Sequence, residues 1–283
     1  MRAEKTIIRQ IPIAVMALIL GSCSDKAPDQ PVQASQSASA VSSDPAAAAT
    51  AASAPQPIAA KPVLIDDSTP LYEFSYSYPK QAEAIPALAG WFRIDAAKQK
   101  RALIGNARQG QAEAKADKRT YYPYGHSTKW AVVAEIPGWL SLSAERWESL
   151  GGAHPNPWQE GLVWDKRNGT RHRGTDFFQS PAALTAAIRT PFCAALNKQR
   201  AEKRGEPVDT KRSGMFNDCI DPAKQTVISG STDKRHFTRI GILIDPYEAG
   251  SYAEGNYEVT LPVTPAVLKA IKPMYRSGFA VPK

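Results

Sequence analysis

The sequence lacks the short motifs by which nucleotide-binding proteins, serine hydrolases and zinc enzymes are usually recognised. It contains no G-x-S-x-G, no P-loop and no G-x-G-x-x-G segment, and it contains no H-E-x-x-H, H-x-x-x-H or C-x-x-C pair. Its four histidines, His126, His154, His172 and His236, have no second His or Cys at ligand spacing. We therefore expect no metal and no cofactor, and no nucleic-acid partner is expected either.

Long apolar runs are also missing. Residues 11–20 are apolar and follow a basic segment, but the run is too short to cross a bilayer as a helix. It ends in Leu20-Gly21-Ser22-Cys23, which resembles the bacterial lipobox, a motif whose cysteine is lipidated. We predict a lipoprotein signal peptide over residues 1–22 and a membrane anchor on Cys23. The alternative is a soluble secreted protein with an unmodified cysteine.

The residues after Cys23 indicate where the anchor lies and how the chain leaves it. Ser24, rather than Asp, follows the cysteine, which resembles the outer-membrane sorting pattern of Gram-negative lipoproteins. For a Gram-negative source we predict a lipid-anchored protein of the outer membrane that faces the periplasm. Residues 24–62 contain no aromatic residue and are rich in Ala, Ser, Pro and Gln. Such a segment buries too little apolar area to fold, so residues 23–67 are predicted to be the lipidated cysteine and a disordered tether.

The rest of the chain is basic. The formal net charge is +8, and the first 22 residues carry three basic residues and one acidic residue. Residues 24–70 carry two basic and five acidic residues, so the chain from Leu71 onwards has a net charge of +9. This charge is typical of a solvated surface, or of a protein with an anionic partner such as cell-wall polymer, acidic glycan or lipid headgroups.

Periodicity predicts an α+β fold of antiparallel strands, two longer helices and a short C-terminal helix. Residues 80–118 are rich in helix formers, and we expect one long helix there, with a break at Gly105 or Gly110. Ser180-Pro181 predicts the start of a second helix that runs to about Lys203. The predicted strands cover residues 72–78, 129–136, 139–149, 161–165, 225–229, 237–244 and 256–261, with residues 121–127 as a loop.

Two cysteines remain after lipidation of Cys23. An exported chain is in an oxidising compartment, so we predict a Cys193–Cys219 disulfide, with two buried free thiols as the alternative.

Two segments could form a site. His154 lies in G-G-A-H-P-N, where it either binds a ligand or simply hydrogen-bonds to the backbone of a turn. The stretch D-P-Y-E-A-G-S-Y-A-E-G-N-Y-E-V-T-L, from Asp245 to Leu261, lies between two predicted strands, and Gly250 and Gly255 are expected to adopt positive φ. Several tryptophans between residues 130 and 164 are expected in the core, with a few available to stack on sugars. The candidate binding residues are His154, Asp245, Tyr247, Glu248, Tyr252, Glu254 and Tyr257.

These segments, with Asp165, Gly169 and Asp176-Phe177-Phe178, resemble a known family of paired extracytoplasmic domains. The family includes the RsiV-like anti-sigma factor, a lysozyme receptor, and the PdaC-like peptidoglycan deacetylase. The resemblance implies a PdaC-like accessory domain over residues 68–160 and an RsiV-like domain over residues 161–283. The deacetylase's catalytic metal site is not found in this sequence, so the resemblance implies a binding module rather than an activity.

The leading hypothesis is a non-catalytic envelope lipoprotein that binds peptidoglycan or a peptidoglycan-acting enzyme. A lysozyme-binding inhibitor or receptor is the second hypothesis, in which Asp245, Glu248, Glu254 and Glu258 form a local acidic patch. The positive net charge opposes binding to a cationic lysozyme. A structural envelope protein without a ligand, and a hydrolase that uses His154 with a carboxylate, are the remaining alternatives.

Overall fold

The computed structural model describes residues 60–283, which belong to one compact unit. The predicted signal peptide, the lipidation site Cys23 and most of the predicted tether lie outside these residues. The described part is an α+β fold, as predicted, with a six-stranded sheet and a three-stranded sheet. No helix within residues 60–283 has both the length and the apolar character needed to cross a membrane.

The six-stranded sheet is mixed, and its strands follow chain order across the sheet. They are β1 (Val63–Ser68), β2 (Tyr72–Tyr78), β3 (Tyr124–Ile136), β4 (Trp139–Ser149), β5 (Asn156–Asp165) and β6 (Thr170–His172). β2 and β3 are parallel, and the other neighbours are antiparallel. A parallel pair needs a crossover connection, which α1 (Lys80–Glu83) and α2 (Pro86–Ala116) supply.

The helical segment breaks at a different point from the predicted one. The two helices separate at residues 84–85, because Pro86 starts α2 at the first-turn position that tolerates a missing N–H. Gly105 and Gly110 both lie inside α2, so the expected break at a glycine is wrong. Gly110 is needed for close approach instead, since a Cβ there would lie 2.1 Å from the Tyr124 hydroxyl oxygen.

The first core lies between one face of the sheet and α2. β2 alternates strictly and directs four aromatic side chains into this core: Tyr72, Phe74, Tyr76 and Tyr78. The Phe92 ring on α2 stacks on Tyr78, with ring centroids 4.8 Å apart. Burying side chains of this size contributes roughly 1.5–3 kcal/mol each, so this row of aromatics is what holds α2 against the sheet.

The second core lies on the opposite face of the same sheet. A β-bulge between Val132 and Ala134 shifts the register of β3. Trp130 therefore faces the first core, whereas Ala134 and Ile136 face the second, although all three positions are an even number of residues apart. The elements that cover this face are β7 (Thr226–Gly230), β8 (Arg239–Ile244), β9 (Tyr257–Pro262), α3 (Pro181–Arg204) and α4 (Pro265–Ala270).

Helix α3 begins and ends where the sequence predicts. The Ser180 hydroxyl accepts a hydrogen bond from the Ala183 N–H at 3.0 Å, and the helix ends at Gly205, whose φ is +73°. Residues 205–221 have no long regular element. The Cys193–Cys219 disulfide is present, with Cα atoms 5.5 Å apart, and it ties this segment to α3.

Several element bounds differ from the prediction. β1 begins at Val63, inside the predicted tether, and β3 begins at Tyr124, inside the predicted loop. β5 begins at Asn156 rather than at residue 161, and β6 is an additional short strand after the turn at Asn168-Gly169. The predicted boundary between residues 160 and 161 falls within β5, whose neighbours β4 and β6 lie on either side of it in the chain.

Candidate binding surface

The structure brings together the two segments that the sequence singles out. The His154 ring stacks on the Tyr252 ring, with centroids 3.9 Å apart and planes 25° apart. His154 Nε2 lies 3.3 Å from the Tyr247 hydroxyl oxygen, and the Tyr252 hydroxyl donates to the Pro155 carbonyl at 2.9 Å. We call His154, Tyr247 and Tyr252 the aromatic surface.

The aromatic surface faces solvent. Tyr247 is 55% exposed, and His154 and Tyr252 are half-buried. Tyr247 has a φ of +71°, a conformation that L residues other than glycine rarely adopt. The Tyr247 and Tyr252 rings are tilted, with centroids 5.7 Å apart. The three side chains therefore present ring faces and polar tips on one accessible patch.

Glu254 and Tyr257 lie on the inner side of the same loop. Glu254 accepts from the Ser251 N–H and from Arg204 Nε, both at 2.9 Å, and from the Tyr257 hydroxyl. Burial raises the pKa of Glu254, but the hydrogen bonds from Tyr257, Ser251 and Arg204 outweigh it and lower the pKa to about 2. Tyr257 is buried in the second core. These two residues hold the loop in place rather than extend its surface.

The C-terminal turns of α3 fix the loop through basic side chains. Arg200 is fully buried, and its guanidinium donates to the carbonyl oxygens of Ala249 at 2.9 Å, Asn217 at 3.2 Å and Asp218 at 3.1 Å. The Lys203 ammonium lies 4.0 Å from the centroid of the Tyr257 ring. Sequence analysis missed this clamp, although basic residues at positions 200, 203 and 204 share one helix face.

Only one of the two loop glycines adopts positive φ. Gly255 does so, with φ +67°, as expected. Gly250 does not, and the expectation for it is wrong. A Cβ at Gly250 would lie 2.5 Å from the Glu254 carboxylate, so this position requires a residue without a side chain for steric reasons.

Asp245 and Glu248 differ in their surroundings. Asp245 Oδ1 accepts from the Gln159 N–H at 2.8 Å, which joins the loop to β5. Burial raises the pKa of Asp245 to about 6, against the lowering effect of that hydrogen bond, and the nearby Glu248 adds to the rise. Glu248 is exposed and accepts from the Gln225 side-chain amide at 3.2 Å.

Of the five tryptophans from Trp130 to Trp164, two are buried in the core as expected and three are partly or more fully exposed. Trp130 and Trp164 are buried in the first core, whereas Trp139 packs against the second core. Trp147 is 37% exposed and lies over Gly125, where a Cβ would be 2.8 Å from the ring. It is the most exposed of the five.

A hydrolase that uses His154 would need a carboxylate beside its imidazole ring. Nδ1 lies 2.9 Å from the Pro155 carbonyl oxygen and Nε2 faces Tyr247, so within residues 60–283 neither nitrogen contacts a carboxylate. In the same part of the chain no group of three or more His, Cys, Asp or Glu side chains is placed to hold a metal ion.

Comparison with protein families finds one matching segment in the described fold. Residues 65–157 match the family model described as deacetylase PdaC, which confirms that this segment resembles a PdaC-like domain. The match includes His154 and ends before the segment from Asp245 to Asn256, between β8 and β9, which we call the Tyr-rich loop. The chain matches no curated protein by sequence.

Two solved structures are similar to this chain. A DUF3298 family member from Bacteroides fragilis is 13% identical, with a TM-score of 0.47, and the match covers 71% of this chain and 89% of that one. A DUF3298 family protein from Pseudomonas aeruginosa PAO1 is 14% identical, with a TM-score of 0.44, and the match covers 76% of this chain and 95% of that one.

Proposed function

We propose that this protein is a non-catalytic lipoprotein of the bacterial envelope that binds peptidoglycan through the aromatic surface. The PdaC-like domain supports an extracytoplasmic, envelope-associated role. The predicted anchor on Cys23 would attach the chain to the outer membrane on its periplasmic side, where peptidoglycan lies within reach of the tether.

The observation that carries this proposal is the stack of His154 on Tyr252 beside the exposed Tyr247. Aromatic rings with polar tips suit glycans, because the ring face covers the apolar face of a sugar while the tip hydrogen-bonds to its hydroxyl groups. The clamp from α3 holds the loop before a ligand arrives. Binding to a preorganised surface avoids the entropy cost of ordering the loop.

A peptidoglycan-acting enzyme, such as a lysozyme-like hydrolase, is the second candidate ligand. The projecting Tyr247 favours it, since an exposed aromatic side chain at the tip of a rigid loop can enter an enzyme cleft. The acidic patch expected for this role is smaller than the sequence suggests. Glu254 is paired with Arg204 and Asp245 is half-buried, which leaves Glu248 and Glu258 exposed.

The test is a binding titration of the soluble chain from Gln56 to Lys283. The ligands are a peptide-free glycan of alternating N-acetylglucosamine and N-acetylmuramic acid and, separately, lysozyme, each at physiological and at high salt. Tyr247→Ala should weaken glycan binding at least about tenfold, the effect of losing a central aromatic contact. Tyr122→Ala is the matched control, because Tyr122 is a tyrosine 74% exposed elsewhere on the fold.

Each outcome separates the candidates. Saturable glycan binding that depends on Tyr247 and not on Tyr122 supports the proposal. Lysozyme binding that weakens with salt, in the absence of glycan binding, supports the second candidate instead. Equal effects of the two substitutions, or no saturable binding of either ligand, would overturn the assignment of the aromatic surface.

A further inference from the structure

A second concave site lies beside β5. Two adjoining hollows, of about 260 Å³ and 370 Å³, share Glu160, Gly161 and Arg173 in their walls. Arg171 lines the larger hollow and Lys224 the smaller one. We call the site formed by Glu160, Arg171, Arg173 and Lys224 the basic cleft. Its combined volume is in the range of sites for small ligands.

The walls of the basic cleft are held rigidly together by glycines. A Cβ at Gly174 would lie 2.1 Å from the Val227 carbonyl oxygen, and one at Gly161 would lie 3.1 Å from the same atom. β5 and the 3-10 helix Gly174–Phe177 therefore both press against β7. The Thr226 hydroxyl adds a hydrogen bond to the Gln159 carbonyl at 3.1 Å. The cleft is thus part of the junction between the two sheets rather than a gap between mobile loops.

The cations of the cleft are available to a ligand. The Arg173 side chain is 83% exposed, and its contact with Asp176 is long, at 3.5 Å. The Arg171 guanidinium lies over the Trp91 ring, 4.6 Å from its centroid, an interaction that orients it without neutralising it. Lys224 is exposed and makes no ion pair within residues 60–283.

Two acids line the cleft, Asp176, which contacts Arg173, and Glu160, which is paired from behind. Glu160 pairs with Arg146 at 2.8 Å, and the Arg146 side chain is only 3% exposed. Arg146 also pairs with Asp95 on α2 at 2.9 Å, so it is fixed in the first core. Glu160 therefore presents a half-buried carboxyl group at the wall of a cleft whose other charged groups are mainly cations.

We infer that the basic cleft binds a peptide that carries a free carboxylate. The planar guanidinium groups of Arg171 and Arg173 suit a carboxylate, which can accept two parallel hydrogen bonds from such a group. Glu160 favours a singly charged carboxylate over a doubly charged phosphate, since it repels the phosphate more strongly. Glu160 can also accept a hydrogen bond from an amide or ammonium group of the same peptide.

This inference rests on the proposed function, because it assigns the peptide part of the same ligand. β5 begins two residues after His154 and contains Glu160, so at about 3.3 Å per residue the two residues are at most about 20 Å apart. Gln225, which lines the cleft, also contacts Glu248 of the Tyr-rich loop at 3.2 Å. A glycan strand on the aromatic surface would therefore carry its peptide arm, which bears carboxylates, towards the basic cleft.

The test uses peptide alone, so that it is independent of glycan binding. The probes are the tetrapeptide Ala-γ-Glu-Lys-Ala with free carboxyl groups, the same peptide with its carboxyl groups amidated, and inorganic phosphate. The protein is the chain from Gln56 to Lys283, as wild type and with Arg173→Glu, Lys224→Glu or Arg108→Glu. Arg108 is the matched control, because it is exposed on α2 and does not line the cleft.

We expect the free peptide to bind and the amidated peptide to bind at least about tenfold more weakly, as loss of a charge-assisted pair predicts. Arg173→Glu and Lys224→Glu should each reduce binding at least about tenfold, and Arg108→Glu should leave it within about twofold. Thermal melts should show that both cleft variants remain folded. If one of them unfolds, the other still tests the inference.

Three results would overturn the inference: equal binding of the free and amidated peptides, unchanged binding in both folded cleft variants, or tighter binding of phosphate than of the peptide. Failure of the proposed function gives a different pattern. In that case Tyr247→Ala has no effect on glycan binding, while the peptide still binds to the cleft.

Discussion

Two carboxyl groups of the Tyr-rich loop have pKa values shifted in opposite directions, upwards for Asp245 and downwards for Glu254. The stability of this protein should therefore depend on pH, and Asp245→Asn tests the contribution of the first group. Burial raises the pKa of Asp245 from 3.8 to about 6. The folded chain therefore binds this proton more tightly than the unfolded chain. The stabilising contribution is complete below about pH 3.8 and is lost as the pH rises through about 6. The change in pKa corresponds to about 3 kcal/mol.

Asparagine can keep the hydrogen bond from the Gln159 N–H while removing the buried charge. We expect Asp245→Asn to raise the free energy of unfolding by up to about 3 kcal/mol near pH 8, and by almost nothing near pH 4. Urea unfolding of the chain from Gln56 to Lys283, repeated across that pH range, measures the difference. Most of the change should fall between about pH 4 and 6, where the folded and unfolded forms differ in proton uptake.

Glu248→Gln is the matched control, because Glu248 is an exposed carboxylate three positions further along the same loop. Its effect on the free energy of unfolding should stay within about 0.5 kcal/mol, as for most surface substitutions. The reasoning fails if Asp245→Asn destabilises the fold at high pH, or if its effect is the same near pH 4 and near pH 8. The first result would show that Asp245 is needed as a charged group, and the second would show that its proton does not contribute to stability.

Three further predictions concern stability. Glu254→Gln should lower the free energy of unfolding by about 2–3 kcal/mol near pH 7, because the pKa of Glu254 is lowered to about 2 in the folded chain. This loss should shrink as the pH falls from about 4.5 to about 2. A loss that does not change with pH in urea unfolding would contradict the prediction. Gly110→Ala should lower the melting temperature, because the added Cβ would clash with the Tyr124 ring of β3 at a cost of about 1–3 kcal/mol. Gly105→Ala has open space around it and should raise stability by up to about 1 kcal/mol. Melting-temperature shifts of the same sign in the two variants would refute this prediction. Reduction of the Cys193–Cys219 bridge should cost about 3–4 kcal/mol, measured by urea unfolding with and without reductant, and a negligible change would show that the segment after α3 is ordered without it.

Local signals in the sequence predict much of the fold. The strand over residues 72–78, the neighbouring strands over residues 129–136 and 139–149, and the Ser180-Pro181 start of α3 all appear as predicted. Each depends on residues a few positions apart, whose preferences are set by the backbone and by one buried face. The Cys193–Cys219 disulfide is present as predicted; the prediction depended on the expected export of the chain and on there being two cysteines besides Cys23.

Features that depend on distant partners could not be read in the same way. The bulge in β3 lets one strand serve two cores, and no local pattern marks the point where its faces exchange. The stacking of His154 on Tyr252 joins residues almost a hundred positions apart. The buried Arg200 reads in sequence as a surface residue of an amphipathic helix, because its carbonyl partners come from two other segments. The basic cleft likewise requires the two sheets to meet.

The position of β1 has a mechanical consequence. β1 lies at the edge of the six-stranded sheet and pairs only with β2, with Val63 opposite Tyr78. Any tension carried by the chain that precedes Ala60 enters the fold at this strand. β1 can be pulled away without breaking any other strand pairing. The last side-chain contacts along β1 are those of Asp67, which accepts from the Tyr72 hydroxyl at 2.6 Å and from Lys100 at 2.5 Å. Under load, β1 would therefore separate from the sheet first, while the aromatic surface and the basic cleft, both beside β5, keep their structure.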